Sequence, residues 1–417
     1  MKKTEYCFLV ERDIMKKLNV GVLTDQFINW GGGVDFIRLV LNGLVSINEA
    51  RQDGISIYVY VPMQNEHKIK FKYIVKIILN KLFNKKYQLQ CGISRKSYVE
   101  SFKSIDSKIK VYYYNGTDAD LAKIVVKHNI DFVLPVFTPL SPSFPKPWAG
   151  YIYDFQHKYY PEFFPEEEIN NRNRQFSSML NQAKTIIVNA KSVKNDIEKF
   201  VGQTNAKIVT LPFCPVLNLD FFKVDVILEK YNLPEKYFMI SNQFWKHKDH
   251  VTAFEAFRFF LDKSSETEVS LVCTGQTHDN RFPDYFDQLQ NLIADLNLQD
   301  KILILGYIPK EDQLEILKNC IAVIQPTLFE GGPGGGAVYE SVAYGVPSIV
   351  SDIDVNKELD DETVTFFKTG SPNDLADKMV TAFYKQKVIY SREYLEEKNK
   401  KALLTMGEKI IEAIQNI

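Results

Sequence analysis

Short apolar runs alternate with longer stretches of helical period along nearly the whole chain, a pattern that predicts α/β architecture with mainly parallel sheets. In the first half the runs predict strands at Leu18–Leu23, Ile55–Val61, Lys108–Tyr114, Asp131–Val136, Gly150–Tyr153, Thr185–Asn189 and Ile208–Leu211, with helices between most of them. Leu211–Phe222 carries Pro212 and Pro215 and breaks the alternation, so it is the candidate linker. A second series follows, with strands at Tyr237–Ile240, Val269–Thr274, Ile302–Leu305, Ile321–Gln325, Ser348–Ser351 and Thr363–Phe367. Two similar sheets joined by a linker predict two lobes with a cleft between them, and such clefts hold substrates. From Ser391 to Ile414 the period is helical again, with Leu395, Leu403, Leu404, Met406, Ile410, Ile411 and Ile414 as the apolar set.

The most informative run is FEGGPGGGAVYESVAYGVPS, Phe329 to Ser348. A strand delivers the chain into a glycine loop that opens into a helix, and such a unit binds ligands beyond the carboxyl ends of the strands. Gly331, Gly332, Gly334, Gly335 and Gly336 present bare backbone N–H groups, and the positive end of the following helix points the same way. That combination suits phosphate. Glu330 and Glu340 flank the loop.

At these residues the chain resembles the retaining, nucleotide-sugar-dependent glycosyltransferases of the GT-B fold, of the group called family 4. Their motif P-S-x-x-E-G-F-G followed by E-A-M-A-x-G-x-P-V is similar to PTLFEGGP and YESVAYGVPSIVSDI here. Nine residues separate Glu330 from Glu340, more than the family pattern has, so this loop is longer and richer in glycine. The resemblance implies a GT-B fold of two Rossmann-like domains facing each other across a cleft. Its expected parts are an N-terminal extension at 1–17, an acceptor-side domain at 18–212, a linker at 213–224, a donor-side domain at 225–388 and a terminal helix at 389–417 that crosses back to the first domain. It further implies that Glu340 accepts hydrogen bonds from ribose hydroxyls, that Glu330 meets the donor sugar near its reacting carbon, and that transfer proceeds with retention.

Three other motifs take meaning from that resemblance. NVGVLT leads to a glycine turn and a helix expected from near Val34; Gly32 and Gly33 occupy positions where the family faces the donor phosphates, while the plain reading is a tight turn. A dinucleotide fingerprint fails because Phe36 stands where its last glycine belongs. AGYIYDFQHKYY ends a strand in Asp154 and His157; Tyr153 stands where the family has its histidine, which moves that role to His157, with Asp154 to orient it. The plain reading is a partly buried histidine under a loop. Tyr159, Tyr160, Phe163 and Phe164 could wall a sugar site. In SNQFWKHKDH, Lys248 matches the family's diphosphate-binding lysine, but Gln243 replaces its arginine, so leaving-group stabilisation leans on Lys248 and backbone donors. No metal is expected: the acidic triplet Asp352–Asp354 follows a strand where the family has no metal site and reads as a turn. No cofactor is expected either.

Charge narrows the picture further. Lys and Arg total 51 against 52 Asp and Glu, for a net charge of −1, which gives no electrostatic case for nucleic acid. The five cysteines are scattered and lack CxxC spacing, as in a reduced, cytoplasmic protein. No apolar run is long enough to span a bilayer, and the first 17 residues read as a loose extension, with Met15 a possible alternative start. From Glu66 to Lys86 seven lysines against one acid interleave with apolar residues, which fits either a helix packed on the first domain or a peripheral contact with the anionic inner face of the cell membrane. The expected partners are a nucleotide-sugar donor and a glycan or lipid-linked acceptor, in bacterial lipopolysaccharide O-antigen or capsule synthesis. A nucleotide-sugar 2-epimerase, or a silent nucleotide-sugar-binding relative, fits the same scaffold.

Overall fold

A computed structural model of the chain describes residues 17–29, 31–51, 54–63, 95–216, 225–385 and 388–415. The basic stretch at 66–86, Met15 and most of the linker lie outside them. Among the described residues no helix is long and apolar enough to cross a membrane. The strands form two sheets, one of seven strands and one of six. By internal contacts the chain divides into two compact units: the described residues up to Val136 with Leu140–Trp148, and Phe137–Pro139 with Ala149 onward.

The first unit runs β1 (Asn19–Leu23), α1 (Gly31–Arg51), β2 (Ser56–Pro62), α2 (Arg95–Lys103), β3 (Lys110–Tyr114), α3 (Asp118–Lys127) and β4 (Phe132–Val136). Its strands are parallel in the order β3-β2-β1-β4, with Val20 opposite Ile57 and Phe132, and Val22 opposite Val59 and Leu134. β4 is buried along its whole length, as expected of a parallel strand covered on both faces. α1 begins at Gly31 rather than near Val34, so Gly32 and Gly33 form its first turn instead of a turn before it. Neither uses a left-handed φ; Gly32 is exposed and Gly33 buried.

The second unit opens within β5 (Trp148–Tyr151), from Ala149, and continues through α4 (Gln156–Tyr159), α5 (Glu166–Gln182), β6 (Thr185–Val188), α6 (Lys191–Phe200) and β7 (Lys207–Thr210). β5, β6 and β7 pair in parallel. β5 ends at Tyr151, so Tyr153 and Asp154 stand past the strand, at its carboxyl edge. Then come α7 (Asp225–Lys230), β8 (Lys236–Ser241), α8 (His250–Ser264), β9 (Val269–Thr274), α9 (Tyr285–Asp295), β10 (Ile302–Gly306), α10 (Lys310–Asn319), β11 (Val323–Gln325), α11 (Gly335–Ala343), β12 (Ser348–Ser351), β13 (Val364–Phe367), α12 (Pro372–Tyr384) and α13 (Arg392–Ile414).

These last strands form a parallel sheet in the order β10-β9-β8-β11-β12-β13. Alternate side chains of β8 feed opposite cores: Phe238 and Ile240 pack with Phe254, Phe257 and Leu289, while Tyr237 and Met239 pack with Ile316, Leu317 and Cys320. The strand order reverses between β8 and β11, and ligands of open α/β sheets bind at such a switch point, beyond the carboxyl ends. The loops leaving those two strands carry Lys248 and Glu330. α13 packs on β6 and β7, where Thr185 Oγ1 donates to Ala413 O at 3.0 Å and Lys207 pairs with Glu412 at 3.1 Å.

Candidate active site

Backbone hydrogen bonds join the two switch-point loops before any charged group does. Leu328 N donates to His247 O at 2.8 Å, and Thr327 Oγ1 lies 3.1 Å from the same oxygen. This fixes the turn Lys246–Lys248 against the segment ahead of Glu330. Lys248 Nζ and the Glu330 carboxylate then form an ion pair, both side chains 11% exposed. Gln325 Nε2 donates to Glu330 Oε1 at 2.8 Å, and Gln325, fully buried, is itself held by Asn242 Nδ2 at 2.6 Å. Glu330 therefore sits between a cation and a neutral donor, in an orientation fixed from below the sheet edge.

The glycine loop closes over this pair. Gly334 and Gly335 have φ of 72° and 66°, and α11 starts from them. A Cβ on Gly335 would lie 3.0 Å from Gln325 Nε2 and 3.1 Å from Glu330 Oε1, so only glycine fits. Gly334 N donates to Asn356 Oδ1 at 2.8 Å. Gly331 and Gly332 run along the carboxyl edges of β5 and β6: a Cβ on Gly331 would lie 2.5 Å from Tyr153 O and 3.1 Å from Asp154 Cβ, and one on Gly332 would lie 3.4 Å from Asn189 Cβ. Gly336, by contrast, is exposed, and among the described residues nothing lies within 4 Å of where its Cβ would be. The start of α11 is thus open, with its first-turn N–H groups and helix dipole available to an anion.

Glu340 lies one turn further along α11, where Lys310 pairs with it and Gln313 Nε2 donates to Oε2 at 2.7 Å. Gln243 turns its carboxamide oxygen to Gln276 N at 2.8 Å, which leaves its NH2 group as the donor. Asp154 Oδ1 accepts from Gln156 N at 2.9 Å and lies 3.6 Å from Arg172 Nη1; burial raises its pKa, opposed by that guanidinium. Phe329 leans on Tyr159 and Tyr160, with ring centroids at 5.7 and 6.2 Å. Tyr159 is 43% exposed, whereas Phe163 and Phe164 are buried and face no solvent-filled wall.

His157 does not stand where the sequence suggested. The residue is 1% exposed, its ring packed near Phe155 and Phe176, with Nε2 at 3.0 Å from Asn173 Oδ1 and Nδ1 buried without a partner among the described residues. Burial lowers its pKa, and the enclosed imidazole presents no nitrogen to a substrate. The short helix α4 turns this side chain inward. His247 and His250 are also interior: burial lowers them to about 2 and about 3, and His250 lies flat on Phe244 at 4.3 Å. In the Asp352–Asp354 triplet, Asp352 Oδ1 accepts from Thr369 N and Oγ1, each at 2.8 Å, while Asp354 is exposed and pairs with Lys357. Gly32 and Gly33 belong to the other compact unit.

Gln325, Asn242, Asn356, Lys310 and Gln313 also belong to this network and are not among the residues that mark the site in the sequence. A polar residue closing an apolar strand, as in AVIQ and MISN, was the visible signal for the first two. The other three act from neighbouring helices and turns and carry no local mark.

Parts of the chain are similar to known proteins. The family described as Glycosyl transferases group 1 matches residues 225–402. The chain is similar to the O-antigen chain mannosyltransferase RfbU of Salmonella typhimurium, at 26% identity over 208 residues, which is 50% of this chain and 53% of that protein. It therefore spans about half the length of that relative. Among solved structures it resembles a glycosyltransferase from Rickettsia africae, with a TM-score of 0.60 at 15% identity over 96% of this chain and 100% of the other. It also resembles Anabaena HepE in complex with UDP and glucose, with a TM-score of 0.56 at 13% identity over 95% of both chains. The likeness in fold extends along nearly the whole chain and the family match covers residues 225–402: the fold is that of the GT-B glycosyltransferases, and those residues are similar to the family described as Glycosyl transferases group 1.

Proposed function

We propose that the protein is a glycosyltransferase that moves a hexose from a nucleotide-sugar donor to a glycan or lipid-linked acceptor, with retention of configuration, in the synthesis of a bacterial surface polysaccharide. The observation that carries this reading is the open start of α11 beside the Lys248–Glu330 pair. Departure of a nucleoside diphosphate leaves negative charge on its terminal phosphate. N–H groups of Gly335 and Gly336 at the start of α11 and the Lys248 ammonium are the fixed donors that would meet that charge, and such preorganised donors lower the barrier without reorganising. Gln243 would add a neutral donor from its NH2 group. Glu330 would stand by the donor sugar and Glu340 by the ribose, each exchanging a present partner for a hydroxyl. Asp154 would border the sugar site from the β5 edge. Gly32 and Gly33 would supply further backbone donors.

A panel of nucleotide sugars tests the reading. Release of free nucleoside diphosphate from one of them, abolished by Glu330→Ala and by Lys248→Ala, supports transfer; interconversion of the sugar without nucleotide release supports a 2-epimerase instead. NMR of the product's anomeric centre reads retention directly. The basic stretch at 66–86 supports peripheral membrane attachment, and sedimentation with anionic vesicles at low salt tests it; no pelleting speaks against it.

A further inference from the structure

The turn Asn356–Glu358 after β12 holds two parts of the molecule at once. Asn356 is fully buried. Its Oδ1 accepts from Gly334 N at 2.8 Å, and its Nδ2 donates to Ser351 O at 2.9 Å. Ser351 Oγ donates to Thr327 O at 2.6 Å, and Leu328, the next residue, donates to His247 O at 2.8 Å. A hydrogen-bonded chain thus runs from the turn, through the glycine loop's anchor, to the residue before Lys248. Two residues beyond Asn356, the Glu358 carboxylate spans the start of α6: Oε2 accepts from Lys191 N at 2.8 Å and Oε1 from Ser192 N at 2.7 Å. First-turn N–H groups and the positive helix end favour a carboxylate there. α6 follows β6, beyond whose carboxyl end Asn189 lies against Gly332.

We propose that Asn356 and Glu358 are positioning residues of the transfer reaction, Asn356 setting the glycine loop for the donor diphosphate and Glu358 setting the β6–α6 edge against that loop from the other side. The proposal rests on the transferase reading above. The two residues have separable effects. Without Asn356 the Gly334 N–H loses its partner, and the loop relaxes from the geometry that aims the α11 amides outward. Without Glu358 that hydrogen bond persists and the loop keeps its shape, but the edge carrying Asn189 is no longer held in register with Gly332.

Calorimetric titration with UDP and GDP, together with turnover of UDP-glucose and GDP-mannose, separates these effects. Asn356→Ala is expected to raise the Kd of the bound diphosphate about tenfold. Glu358→Ala is expected to leave that Kd within about twofold while turnover falls about tenfold or more, as small misplacements near reacting groups do. Glu358→Gln, which keeps an accepting oxygen, recovers part of the turnover. If Asn356→Ala does not fold, Glu358→Ala carries the test alone, since Glu358 lies on a half-buried turn. Unchanged turnover in Glu358→Ala, or a loss of affinity and turnover in step with a loss of thermal stability, overturns the proposal. Unaltered protein that binds neither UDP nor GDP and consumes neither sugar nucleotide overturns the transferase reading instead, and this proposal with it.

Discussion

Two neighbouring glycines in the loop are predicted to fail in opposite ways when replaced by alanine. Gly335 has a φ of 66°, a conformation that costs an alanine about 1–2 kcal/mol. Its new Cβ would also lie 3.0 Å from Gln325 Nε2 and 3.1 Å from Glu330 Oε1. Neither neighbour can step aside freely, because Gln325 is fully buried and held by Asn242, and Glu330 is held by Lys248. Overpacking of that kind adds about 1 kcal/mol or more, so Gly335→Ala is expected to lose about 2–3 kcal/mol of stability. The displaced Glu330 should lower turnover at least tenfold, roughly. Gly336 has no left-handed φ and, among the described residues, no atom within 4 Å of its Cβ position. Gly336→Ala should therefore be as stable as the unaltered protein or gain up to about 1 kcal/mol from helix propensity. Its methyl group would occupy the space that a bound diphosphate needs, so affinity for UDP or GDP is expected to fall about tenfold with stability intact. Urea denaturation and calorimetric titration read the two quantities separately. A Gly336→Ala protein that binds the diphosphate as tightly as the unaltered one, or a Gly335→Ala protein of undiminished stability, would refute the reasoning.

Other predictions concern charge. Lys248→Ala strands the Glu330 carboxylate with Gln325 as its described donor, which is expected to cost about 3 kcal/mol of stability and to lower turnover about 100- to 1,000-fold. Adding Glu330→Gln should restore much of the stability in denaturant titrations and none of the turnover; recovery of both would contradict the assigned roles. His247 and His250 stay neutral in the folded protein down to about pH 2 and about pH 3, but take up protons near pH 6.5 when unfolded. The unfolded state then binds more protons, so stability is full above about pH 6.5 and falls with acidification by about 1.4 kcal/mol per pH unit for each histidine. His250→Phe keeps the ring against Phe244, removes two partnerless nitrogens, and is expected to raise stability at pH 7 and reduce that slope by about one proton's worth. An unchanged slope between pH 6 and pH 5 would count against the buried neutral imidazole.

Much of the fold was legible because parallel strands covered on both faces leave continuous apolar runs. The run Tyr237, Phe238, Met239, Ile240 shows why: each of these four positions of β8 faces a core. The glycine loop was legible because glycine at close approach has no substitute, and Gly331 and Gly335 have the neighbours that require it. Less could be read where a side chain's direction decides its role. His157 stands four residues beyond Tyr153, which occupies the family's histidine position, and only the inward turn of α4 against Phe176 reveals that its ring is enclosed. The start of α1 at Gly31 was misplaced because three glycines in a row look like a turn, although their φ angles do not need to be left-handed there. Asn356 left no trace at all, since it meets Gly334 across a gap of 22 residues through an intervening strand.

The central claim is that backbone amides at the start of α11 hold the diphosphate of a sugar nucleotide. Amide hydrogen exchange, measured with and without saturating UDP or GDP, tests it most directly. The account predicts that the amides of Gly335–Ala337 exchange quickly in the free protein and become protected when the diphosphate is bound, and that Gly336→Ala loses this protection. Protection that appears elsewhere in the chain while Gly335–Ala337 exchanges at its free rate would contradict it.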